Sequence, residues 1–142
     1  MSHEEAGTPK ETDTVWIGSV ELSFVEIRDV VHLFYARVQK DELLSVPFQA
    51  VHDWPEHLAR LTHFWWIRLG GKQYLSGSYD PITKHYLAGF NVELLNRWLE
   101  LFEQTVLERL TEEQARSWVD LVKKMGKFLA SRNEMMIEAH GR

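Results

Sequence analysis

The chain has 142 residues, 44% of them apolar, a formal net charge of −5 and no cysteine. That is enough apolar mass to close the core of one domain, and the acidic balance argues against a nucleic-acid backbone or an anionic membrane as the main partner. Without cysteine there is no disulfide, no thiolate metal site and no cysteine nucleophile.

The N-terminus carries no signal-peptide pattern, and no apolar run reaches the ~18 to 20 residues of a membrane span. A cytoplasmic setting is therefore the expectation. The opening "MSHEEAGTPKETDTV" is polar and lacks periodicity, so residues 1–15 are expected to form a mobile tail ahead of a domain at 16–142.

From there the punctuation is that of helices. Ser23 and Glu26 have capping-box spacing, and Phe24, Ile27, Val31, Phe34, Tyr35 and Val38 follow at helical intervals to about Lys40. Pro47 breaks the period. Asp53 caps a second predicted helix, with Pro55 tolerated in its first turn and Gly70-Gly71 as its stop. Residues 72–80 read as a loop, after which Pro81 opens one short turn through His85 and Tyr86. Asn91 is placed to cap a long helix carrying Leu94, Leu95, Trp98, Leu101, Phe102 and Val106. Thr111 and Gln114 repeat the capping-box spacing before a last helix with Trp118, Leu121, Val122 and Met125. No strand-like alternation persists, and the predicted class is all-α.

The stretch "HLARLTHFWW" (57–66) concentrates rings beside imidazoles. On a helical wheel His57, Leu61, Phe64 and Trp65 share one face within an arc of roughly 100°, while His63 lies about 120° round from His57. The two histidines therefore cannot bind one metal from an unbroken helix. Seven histidines occur, but no HxxxH pair and no HExxH, which disfavours zinc. Trp66 points away from the His57 face, and packing within the chain is its expected role. His57 alone reads as a half-buried imidazole, and His85 alone as a connector histidine. A flat apolar ligand with a metal at its centre would give both a purpose if their segments face each other, and haem meets that description.

Four stretches, in order and spacing, resemble the truncated, two-over-two hemoglobins, most nearly their third group, over roughly residues 20–130. "LFYARVQKD" (33–41) is similar to the second-helix signature, which sends the Tyr35 hydroxyl into the distal pocket. "LLSVPF" (43–48) resembles the corner from which Phe48 packs on the haem face. "DWPEHLARLTHFW" (53–65) looks like the distal helix, with His57 at the distal histidine position and Leu61 one turn on. "DPITKHYLAGFNVELLNRWLELFEQTV" (80–106) resembles the proximal segment and the next helix, where His85 matches the iron-binding histidine and Trp98 the pocket tryptophan.

The resemblance implies a globin-like helical sandwich around haem b, since a covalent link would need cysteine. It makes His85 the iron ligand and Tyr35, His57 and Trp98 the distal donors. Phe34, Phe48, Leu61, Phe64, Trp65, Phe90 and Phe102 are available to cover the porphyrin, and each is equally an adequate core residue. Arg60 and Lys84 either pair with the propionates or remain solvated charges. The implied function is binding of dioxygen or another diatomic gas. A second reading is an oxidoreductase acting on nitric oxide or peroxide; the chain shows no flavin or nicotinamide domain, so that reading needs an external reductase. A third is a haem-free globin-like interaction module.

Overall fold

The computed structural model describes residues 7–76 and 92–140, with side chains as far as Lys127. Among these, a short hairpin precedes four helices. Its strands are β1 (Thr14–Ile17) and β2 (Val20–Ser23), paired antiparallel with Val15 opposite Leu22. The helices are α1 (Phe24–Val38), α2 (Trp54–Arg68), α3 (Val92–Arg109) and α4 (Glu112–His140), and a 3-10 turn at Pro47–Ala50 lies between α1 and α2. The hairpin is an addition to the helical plan read from the sequence. Thr14 and Val15 belong to β1, and the amides of Phe24 and Val25 donate to the carbonyls of Asp13 and Glu11, so residues 11–15 are tied to the start of α1.

The caps form where their spacing puts them. Ser23 Oγ accepts from the Glu26 amide while Glu26 Oε1 accepts from the Ser23 amide, satisfying two orphan donors of α1. Asp53 accepts from the Glu56 amide at the start of α2. Thr111 and Gln114 make the same reciprocal pair before α4, and the side-chain Nε2 of Gln114 donates to the Glu21 carbonyl, fastening α4 to the hairpin.

α2 ends in a Schellman motif. The Gly71 amide donates to the Trp66 carbonyl and the Gly70 amide to that of Ile67. Gly70 sits at φ 103°, a backbone region that L side chains avoid. A Cβ at Gly71 would overlap the Trp66 indole, so this second glycine is needed for close approach.

α1 packs on both α2 and α3, and α3 packs on α4, which sets the helices as two pairs joined along α1 and α3. The core they share includes Ile27, Val30, Phe34, Val106 and Trp118, all essentially inaccessible. Trp66 is buried against Phe24 of α1, edge to face at 5.3 Å, so it packs within the chain as expected. Two ion pairs tie distant elements. Arg37 grips Glu108 through both terminal nitrogens and also donates to Thr105 Oγ1. Arg97 of α3 donates to Asp41, whose carboxylate also accepts the Leu43 and Leu44 amides that turn the chain after α1.

Candidate functional site

The end of α1 carries Phe34 and Tyr35 at adjacent positions, one turned fully into the core and the other toward α2. Phe34 is 1% exposed and meets Tyr35, Trp98 and Phe102 edge-on at 4.8, 4.8 and 5.3 Å. The cap at Asp53 starts α2 so that Trp54 and His57, one turn apart, lie beside the Tyr35 ring at 6.2 and 6.3 Å. The 3-10 turn brings Phe48 within 5.8 Å of Tyr35 and stacks it on Trp54. On α3, Trp98 and Phe102 are one turn apart, and their rings stack at 5.2 Å with 10° between planes. Trp118 of α4 then bridges Phe102 to Trp65, and Trp65 contacts Phe64.

The rings thus form one continuous net. It contains Tyr35, His57 and Trp98 and the predicted wall residues Phe34, Phe48, Phe64, Trp65 and Phe102, drawn from four elements, with Trp118 adding α4 as a fifth. Leu61 is buried in the same core cluster. Arg60 lies at the edge, 3.6 Å from Glu56 and donating to the Ser76 carbonyl at 3.4 Å. His85, Lys84 and Phe90 lie outside the described residues, as do the predicted cap at Asn91 and the turn opened by Pro81.

The polar atoms set into this net mark it as more than core. Nε2 of His57 and Nε1 of both Trp98 and Trp118 are shielded from solvent, and neither indole N–H has an acceptor among the described residues. A buried donor left without an acceptor costs about 1 to 3 kcal/mol. An acceptor supplied by something other than the polypeptide, next to a wall of rings, would offset that cost. The residues present therefore fit a flat aromatic group carrying a small polar ligand.

Two participants escaped the sequence reading. Trp54 touches Tyr35, His57 and Phe48. Its signal was an aromatic residue one turn before His57. His63, off the His57 face, is 9% exposed, and its Nε2 accepts from the backbone amides of Tyr74 at 3.1 Å and Leu75 at 3.3 Å. Burial, aided by the nearby Arg60 cation, holds its pKa below the ordinary histidine value. Burial likewise pushes the Tyr74 phenol up to about 12. No sequence signal pairs positions 63 and 74.

Among the described residues no cluster of three or more His, Asp or Glu side chains could hold a bare metal ion, and no helix is long and apolar enough to cross a membrane. A cleft of about 610 Å³ between the hairpin and the end of α2, lined in part by Trp16, Trp66 and Lys72, contains none of the predicted pocket residues.

A mostly helical chain that sets tyrosine, histidine and tryptophan into an aromatic wall between two helix pairs has the arrangement of the globin class. The bacterial-like globin family model matches residues 23–131, and the chain belongs to that family. Haem binding follows from that membership. Among solved structures it is similar to the crystal structure of a group III truncated hemoglobin from Campylobacter jejuni. The identity is 26% and the TM-score 0.67, over 78% of this chain and 90% of that one. The likeness to group III read from the sequence is thereby borne out. No match was found among curated proteins.

Proposed function

We propose that the protein binds haem b, that His85 would hold the iron, and that the bound group would supply a binding position for dioxygen or another diatomic gas. The observation that carries this reading is the joining of Tyr35, His57 and Trp98 into one buried ring net, with a Trp98 N–H that lacks an acceptor among the described residues. Haem iron held by one imidazole supplies a coordination position for a diatomic ligand.

The chain's own residues supply the rest. Tyr35, His57 and Trp98 offer an O–H, a ring N–H and an indole N–H. Charge-assisted bonds of this kind contribute roughly 1 to 3 kcal/mol each, so two of them slow ligand escape by about two orders of magnitude. Phe34, Phe48, Leu61, Phe64, Trp65, Phe90 and Phe102 would cover the macrocycle and keep water out. With iron bound, the second ring nitrogen of His85 would donate to a carbonyl or carboxylate and so set its tautomer. Lys84 and Arg60 would pair with the propionates, Arg60 by turning from Glu56 and Ser76. The absence of cysteine makes the attachment non-covalent.

Slow release suits a gas binder or sensor in the cytoplasm. The same donors would also polarise an O–O bond if a separate reductase supplied electrons, which is the oxidoreductase reading. One experiment separates them: the reduced protein is equilibrated with oxygen and mixed rapidly with nitric oxide under continuous chemical reduction. The binder reading expects a stable oxygen complex and no turnover above free haem. Sustained turnover well above free haem would replace it with the enzyme.

A further inference from the structure

α2 holds the chain that follows it by two side chains one turn apart. Arg60 donates to the Ser76 carbonyl at 3.4 Å, and His63 Nε2 accepts from the amides of Tyr74 and Leu75 at 3.1 and 3.3 Å. The Tyr74 ring closes over the imidazole edge-on at 4.6 Å and in turn packs on Phe24 of α1 at 5.8 Å. An Nε2 that accepts two N–H groups cannot itself carry a proton, so the imidazole is neutral with its hydrogen on Nδ1. Residue 76 is the last described position before the stretch that holds His85. Where the chain leaves α2 therefore sets the point from which that stretch begins.

We propose that His63 is a positioning residue, a neutral imidazole latch that fastens residues 74–76 to α2, and that its protonation releases them. A proton on Nε2 would turn an acceptor into a donor facing two backbone donors, and would add a cation beside Arg60. Among the described residues, the groups bearing on His63 are Arg60 from its own helix and the Tyr74 phenol from the segment it holds. The phenol stays neutral throughout the relevant range, and Arg60 opposes a second positive charge, so nothing there compensates the imidazolium. The His63 pKa is depressed by burial first and Arg60 second. The latch is therefore fully formed above the ordinary histidine value and fails as the pH falls through the lowered one. The latch stands on the described geometry alone; only its consequence for His85 rests on the haem reading.

The test is amide hydrogen exchange on the haem-loaded protein, read as protection factors for Tyr74 and Leu75 between about pH 4.5 and 8. Wild type should lose protection roughly tenfold or more as the pH falls, in step with the His63 imidazole titration followed by NMR. His63→Gln, whose amide oxygen can accept the same two bonds, should keep protection and lose the pH dependence. His63→Ala should lack protection at every pH. Undiminished protection in His63→Ala, or an unchanged acid transition in His63→Gln, would overturn the proposal. Should the protein take up no haem, the reading of the pocket fails, while the same two amides still decide the latch in the haem-free chain.

Discussion

At the scale of single residues, the proposed pocket rests on three polar groups placed on otherwise apolar rings. Tyr35 is 5% exposed and flanked by His57, Trp54 and Phe48. Its phenyl ring is a packing element, and only its hydroxyl can act on a ligand. Tyr35→Phe keeps the packing and deletes the bond, so oxygen release measured by stopped flow should quicken about tenfold, the equivalent of one hydrogen bond. An unchanged rate would mean that the hydroxyl does not reach the ligand. Trp98→Phe likewise removes the N–H while retaining an aromatic ring against Phe34 and Phe102. A similar acceleration of oxygen release is expected. A release rate equal to wild type would contradict that account. Tyr35, His57 and Trp98 were legible because their residue types and spacing carry the resemblance. His63 was not, since its partners are backbone amides eleven and twelve positions away. Helical periodicity sees only neighbours on one helix, and it returns His63 merely as off the His57 face.

At the scale of elements, boundaries were legible wherever a side chain satisfies a helix end. The Ser23–Glu26 and Thr111–Gln114 pairs and Asp53 all close bonds that their spacing predicts. The hairpin was not legible, because its strands have four residues each and too few alternations to rise above noise. Two devices at element junctions are open to test. Gly70 is held at φ 103°, so Gly70→Ala should cost about 1 kcal/mol or more in urea denaturation; a midpoint equal to wild type would show that the turn relaxes freely. Asp41 receives the Leu43 and Leu44 amides and the Arg97 guanidinium. Arg97 first, then those amides against the opposing effect of burial, hold its carboxyl below the ordinary 3.8. A depressed carboxylate stabilises the fold fully above that ordinary value and ceases to do so as the pH falls through the lowered one. Asp41→Asn should therefore lose about 2 kcal/mol at neutral pH, with the gap to wild type narrowing below about pH 4. A gap that stays constant into acid would show that the charge is not what matters.

At the scale of the whole molecule, one ring net runs from Phe48 through Phe34 and Trp118 to Phe64, crossing both helix pairs. Sequence supplied the helices and their apolar stripes; it could not supply this convergence, which depends on how α1 lies against α2 and α3 together. The central claim is that a haem sits against this net, held by the imidazole of His85. It is tested most directly by the visible spectrum of purified protein, reduced and then exposed to carbon monoxide, for wild type beside His85→Ala. The account predicts a coloured wild type whose Soret band shifts to that of a carbon monoxide complex of histidine-ligated haem, and a His85→Ala variant that loses haem or this spectrum. A wild type that stays colourless when supplied with haem, or a His85→Ala variant with an unaltered spectrum, would contradict it.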